Sequence, residues 1–130
     1  MKEGERMKRK EQKEQDRMNA KKEISRLLTE LEVREHSAEL LDIIDVLQQV
    51  YQTIDQASEP EIVINHLVNY IRSQAIKGRL HFPKSQEEAI MNLGVIGQRA
   101  GWNSQYMANF SDKSQFYRFG QTVPRHHRLL

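Results

Sequence analysis

Ser37-Ala38-Glu39-Leu40-Leu41-Asp42-Ile43-Ile44-Asp45-Val46-Leu47-Gln48-Gln49-Val50-Tyr51-Gln52-Thr53-Ile54 is the stretch that decides the fold. Leu40, Leu41, Ile44, Leu47, Tyr51 and Ile54 recur as a heptad-like seam, and Ile43, Val46 and Val50 widen it. A seam at helical spacing marks a helix face turned to a core, and one this wide needs neighbours on more than one side. Ser37 is a suitable N-cap, with the Glu39 carboxylate in the first turn where the helix dipole favours it. The segment is therefore read as the central helix of a helical protein.

The flanking segments repeat the pattern. Upstream, Ile24, Leu27, Leu28 and Leu31 lie at i, i+3, i+4 and i+7, predicting a helix over about 19–34. Downstream, Ser58-Glu59-Pro60-Glu61 reads as a capping box with Pro60 in the first turn. Ile64, Leu67, Val68, Ile71 and Ala75 then share a face, with Val63 and Tyr70 beside them. This third helix is expected to stop at Lys77-Gly78, with Gly78 taking the left-handed conformation. A fourth follows Pro83 to about Ala100, burying Ala89, Ile90, Leu93 and Ile96 and closing at Gly101. Gly94 and Gly97 lie inside it, where glycine costs about 1 kcal/mol relative to alanine, so both are expected at a close helix contact. Short connections between amphipathic helices favour antiparallel neighbours. The predicted fold is all-α, an antiparallel up-down four-helix bundle. A C-terminal segment rich in aromatics (Trp102, Tyr106, Phe110, Phe116, Tyr117, Phe119) packs back on it at least as far as Phe116.

Residues 1–17 hold only Met1 and Met7 as apolar groups. With no stripe to bury they are expected to form a flexible charged extension outside the core. Residues 18–116 are the bundle domain and 117–130 a basic tail. A chain of 130 residues fits one domain. Charge is graded along it: residues 1–17 carry seven Lys/Arg and five Asp/Glu, residues 18–61 four and ten, and residues 62–130 nine and three. An acidic front half followed by a basic back half suits either mutually paired helix faces or a basic surface steering toward an acidic partner. The chain has no cysteine, hence no disulfide framework and no thiol nucleophile, which fits a reducing compartment. Its charged N-terminus lacks the apolar region of a signal peptide, and no apolar run is long enough to span a bilayer.

The patterns that carry catalysis are missing. His36, His66, His81, His126 and His127 show no HExxH or related ligand spacing, and His126-His127 is at most a weak metal binder. Glu87-Glu88 diverge on a helix, so they complement its dipole rather than face each other. No phosphate-binding glycine loop or nucleophile elbow occurs. The chain is expected to be no enzyme and to have no cofactor or metal. Its basic N-terminal stretch is interleaved with Glu and Asp, and the chain shows neither the strong single-sign stripe nor the reading helix of a nucleic-acid module.

Asp45-Val46-Leu47-Gln48-Gln49-Val50-Tyr51, Leu67-Val68-Asn69-Tyr70-Ile71, Lys77-Gly78-Arg79-Leu80-His81-Phe82, Gln86-Glu87-Glu88 with Ile90, Asn92-Leu93, Ile96-Gly97-Gln98-Arg99-Ala100-Gly101 and Asp112-Lys113-Ser114-Gln115-Phe116 stand in an order that is informative as a set. Together, from about Asn19 to Phe116, they resemble the enterocin A-type branch of the pediocin-like (class IIa) bacteriocin immunity proteins. Where members of that family can carry a Thr or Ser cap before the fourth helix, this chain has Pro83. The resemblance implies a cytoplasmic four-helix bundle, a fraction of it at the inner face of the membrane, acting as a monomer that protects its cell from a cognate bacteriocin. It implies binding from the cytosolic side to the bacteriocin-bound mannose phosphotransferase permease, with peripheral membrane contact and no nucleic acid, so that the pore is blocked. The C-terminal half is then the part that matches immunity to bacteriocin. Within it the expected recognition residues are Lys77, Arg79 and Lys84 around the third connection, and Arg99, Trp102, Asn103, Tyr106 and Lys113 around and after the end of the fourth helix. Two rival classes stay open on sequence grounds: a helical adaptor or regulator of a soluble protein, and a nucleic-acid-binding bundle.

Overall fold

The computed structural model describes residues 2–101 and 110–127. It contains α1 (Lys2–Glu32), α2 (Ala38–Thr53), a 3-10 turn (Ile54–Gln56), α3 (Pro60–Gly78), α4 (Lys84–Gln98) and a second 3-10 turn (Lys113–Phe116). No strand occurs among the described residues. Consecutive helices pack against one another, α1 also closes against α4, and the α1–α3 diagonal is thinner. Asp16 on α1 meets Arg99 after α4, whereas Arg26 and Glu30 meet Ser85 near the start of α4. The pair is therefore antiparallel, and the protein is an up-down-up-down bundle.

Apolar stripes supply the core. Ile24, Leu27 and Leu31 of α1 are fully buried, as are Leu40, Ile43, Val46 and Leu47 of α2, Ile64, Leu67 and Ile71 of α3, and Ala89, Ile90 and Leu93 of α4. Each large aliphatic side chain so buried contributes about 1.5–3 kcal/mol of transfer free energy. Ser37 caps α2 as expected, its Oγ accepting from the Leu40 N–H at 3.1 Å. Tyr51 departs from the expected seam: it is exposed, and the Lys21 ammonium lies 5.1 Å from its ring centroid. Phe116 reaches the bundle as expected, edge-on to Tyr70 at 5.5 Å between centroids, while Phe119 is fully exposed.

Four local expectations are corrected. First, α1 starts at Lys2 rather than near 19, and the second half of the supposed extension belongs to the bundle. Lys13, Arg17 and Lys21, spaced four apart, donate to Ser58 O at 3.1 Å, Ala57 O at 2.7 Å and Asp55 Oδ2 at 2.8 Å. Cations that satisfy the carbonyl groups and carboxylate of the α2–α3 connection do here what an apolar stripe does elsewhere. Second, the Ser58 capping box does not form. Glu59 is the N-cap and makes no side-chain cap bond, Ser58 turns its carbonyl to Lys13, and Glu61 is buried. Pro60 does take its place in the first turn.

Third, the left-handed residue after α3 is Arg79 (φ 52°, ψ 44°), not Gly78. Gly78 stays within α3 and serves close approach instead: a Cβ there would lie 2.8 Å from Glu39 Cβ, and the reversal falls one residue later. The Leu80 N–H then bonds Ala75 O at 2.9 Å, the long bond of a Schellman-type stop. Fourth, only one of the two α4 glycines marks a close contact. A Cβ on Gly97 would lie 2.8 Å from Asn65 Cα on α3, whereas one on Gly94 would meet nothing within 4 Å.

Candidate functional site

Five of the eight expected recognition residues are described, and they fall into three groups. Lys77, Arg79 and Lys84 lie at the end of the bundle formed by the α3–α4 connection, and all three are exposed. The connection beside them is anchored from the segment after α1: Arg34 Nη1 donates to His81 O at 2.9 Å and to Gln86 Oε1 at 2.8 Å, and its guanidinium lies 6.0 Å from the Phe82 ring centroid. Phe82 itself is buried and joins the core. The loop is thus pinned by one aromatic side chain and one arginine, and Arg79 is exposed on that fixed frame.

Beside this loop runs a groove of about 520 Å³, with Ala75, Ile76, Leu80 and Phe82 on its apolar side and Arg72, Arg79, His81 and Glu87 around it. Arg72 grips Glu87 with both terminal nitrogens, Nη1 to Oε1 at 2.7 Å and Nη2 to Oε2. The guanidinium holds the Glu87 carboxyl below the usual carboxylate range, and Glu87 in turn raises Arg72. That pair fixes α3 to α4 and neutralises the groove's carboxylate.

Arg99 lies at the opposite end. Its Nη1 is 2.5 Å from Oδ1 of Asp16, a fully buried carboxylate that also accepts from Gln12 Nε2 at 3.0 Å. Beside it, burial first and Asp16 second hold the Glu61 carboxyl above its ordinary value. Arg99 is thus a clamp between the end of α4 and α1 as well as a candidate contact. Trp102, Asn103 and Tyr106 lie outside the described residues.

Lys113 stands apart from the other cations because it is buried, with 4% of its side chain exposed. Its Nζ bonds Asp42 Oδ1 at 3.0 Å and Asp45 Oδ2 at 2.9 Å, and also the carbonyl of Pro124. His126 Nε2 lies 2.6 Å from the same Asp45 oxygen, and Gln121 exchanges amide bonds with Gln49. Asp42, Asp45 and His126 offer ligand atoms within 4.8 Å of one another, but the Lys113 ammonium already lies against both carboxylates. The set works as an internal ion cluster that ties the chain to α2 as far as His126. Nearby, burial pushes the Tyr117 phenol up to about 12, with help from Asp45 and Asp42. This clasp was missed in the sequence; its signal is two aspartates three apart, Asp42 and Asp45, set among the apolar residues of the first half of α2.

Comparison with known proteins gives a consistent result. Residues 12–98 match the bacteriocin immunity protein family. The match begins at the turn where α1 first touches the rest of the bundle, through Lys13, and runs to the end of α4. The probable leucocin-A immunity protein of Leuconostoc gelidum is 58% identical over 76 residues, covering 58% of this chain and 67% of the relative. The probable mesentericin-Y105 immunity protein of Leuconostoc mesenteroides shows the same identity and coverage. No solved structure matches the chain.

Proposed function

The chain belongs to the bacteriocin immunity protein family, and on that premise we propose that it protects its cell from a class IIa bacteriocin by binding the bacteriocin-bound mannose phosphotransferase permease from the cytosolic side. The observation that carries the immunity reading is the family match across all four helices, residues 12–98. In this reading protection comes from association that blocks the pore, without chemistry on the toxin. Among the described residues no helix is long and apolar enough to cross a membrane, so the proposed contact is peripheral.

The α3–α4 end supports this placement of the contact. Arg79 on the loop held by Arg34 and Phe82, with Lys77 at the end of α3 and Lys84 at the start of α4, is exposed there, and exposed cations steer a protein toward the anionic inner leaflet that surrounds a permease. Arg99 is a second candidate contact at the far end, whereas Lys113 acts through the tail that it holds. Co-purification tests the reading. The tagged chain is expected to retain the permease from detergent-solubilised membranes when a class IIa peptide has been added. Retention of no permease, with or without the peptide, would remove the proposed partner.

A further inference from the structure

We propose that the groove beside the α3–α4 connection receives a partner segment in which an apolar side chain is flanked by carboxylates, with Arg79 as the anchoring cation. The proposal deepens the docking reading above and rests on it for the identity of the protein that carries the segment. Four features of the site point to that chemistry.

The first is shape and lining. The groove of about 520 Å³ has an apolar side formed by Ile76, Leu80 and Phe82, and Ile76 is 81% exposed on the last turns of α3. A concave apolar floor gains from an inserted side chain, and its volume falls in the range of ordinary ligand sites. A flat headgroup layer would leave that floor uncovered. The second feature is charge. Glu87, the carboxylate on the groove wall, is already bonded by Arg72, so Arg79 leaves the rim cationic, and carboxylates are the complementary group.

The third feature is the conformation of Arg79. Its φ of 52° and ψ of 44° place it in the left-handed region, where a Cβ crowds the following carbonyl and glycine is preferred. The backbone reversal alone would be better served by glycine. An arginine in a position that suits glycine points to a use for its side chain, and strained residues of this kind gather at ligand sites. The fourth feature is that this use is not internal. Among the described residues the Arg79 side chain forms no hydrogen bond or ion pair, unlike Arg72, Arg34 and Arg99. A guanidinium on a fixed loop is suited to paired bonds with a carboxylate.

The test uses the full chain, nitrogen-15 labelled, titrated with a capped Asp-Leu-Glu-Leu-Asp peptide. Its Asn-Leu-Gln-Leu-Asn counterpart and vesicles of phosphatidylcholine with phosphatidylglycerol serve as comparisons. The acidic peptide is expected to shift the amides of Ile76 to Phe82, and the neutral peptide to bind about tenfold more weakly. Arg79→Gly is expected to melt about 3–6 °C higher, because the strain is relieved, and yet to bind the acidic peptide about tenfold more weakly. Ile76→Ser is expected to weaken binding without changing the fold. The proposal is overturned if the shifts map elsewhere or fail to appear at millimolar peptide. It is equally overturned if both peptides bind alike, if Arg79→Gly binds as well as the parent or melts no higher, or if only the vesicles perturb these amides. Because the readout is peptide contact in the purified chain, it can fail while protection of cells stands, and the reverse.

Discussion

Gly94 and Gly97 lie three residues apart on one helix, and the same substitution should stabilise at the first site and fail to do so at the second. Helix propensity alone predicts a gain of about 1 kcal/mol for either Gly→Ala change. At Gly94 a Cβ would meet nothing within 4 Å, so Gly94→Ala should keep most of that gain, about 0.5–1 kcal/mol. At Gly97 a Cβ would fall 2.8 Å from Asn65 Cα and 3.0 Å from its N. Both atoms are backbone, so α3 and α4 must move apart. Overpacking of this kind costs about 1–3 kcal/mol, which cancels or outweighs the propensity gain. The two variants should therefore differ by about 1–3 kcal/mol, with Gly94→Ala the more stable. Urea unfolding followed by circular dichroism measures both against the parent chain. An equal gain at the two positions would show that α3 and α4 do not approach as closely as described, and the packing around Asn65 would need to be redrawn.

Other substitutions test the ion clusters and the long first helix. Lys113→Met leaves Asp42 and Asp45 facing each other beneath the tail. The expected loss is at the lower end of the about 3–5 kcal/mol for a broken buried pair, because both carboxylates keep some solvent contact; tail-amide exchange rates should rise with it, and unchanged exchange would deny the clasp. Glu61 contributes through pH. Its carboxyl is held above the ordinary 4.5, so its contribution is complete below that value and is lost as pH rises through the raised one. Glu61→Gln, which cannot ionise, should therefore gain on the parent between pH 4.5 and neutrality, and a pH-independent difference would contradict the sign. Deleting residues 2–11 should leave unfolding within about 0.5 kcal/mol of the parent. Deletion through Arg17 removes the Lys13, Asp16 and Arg17 contacts and should cost about 1–3 kcal/mol; equal melting of the two truncations would mean that this part of α1 does not dock.

The four helices were legible because each carries an apolar stripe at helical spacing, and burial of Leu31, Leu47, Ile71 and Leu93 follows directly from that periodicity. The docking of α1 before residue 18 was not legible for the opposite reason. Lys13 and Arg17 bond carbonyl groups about forty residues away in sequence, and hydropathy carries no record of a carbonyl. The reversal after α3 was placed one residue early because glycine has two uses, left-handed backbone and close approach. Gly78 serves the second against Glu39, and only tertiary contact decides between them. Of the expected recognition residues, Lys77, Arg79 and Lys84 lie around one connection, the position their order in the sequence implies. Sequence reasoning treated Lys113 as one more surface cation, since the spacing of Asp42 and Asp45 gains meaning only when the chain folds back over α2.

Growth of class IIa-sensitive cells producing this chain, challenged with a panel of class IIa peptides that includes leucocin A, tests the central claim most directly. The account predicts that for at least one peptide the dose needed to arrest growth rises by about tenfold or more over cells carrying an empty vector. It also predicts that reversing Lys77, Arg79 and Lys84 together to Glu lowers that protection while helix content and melting stay unchanged, because exposed charges contribute little to stability. Growth arrest at the same dose for every peptide, with the folded chain present in the cells, would contradict the immunity function.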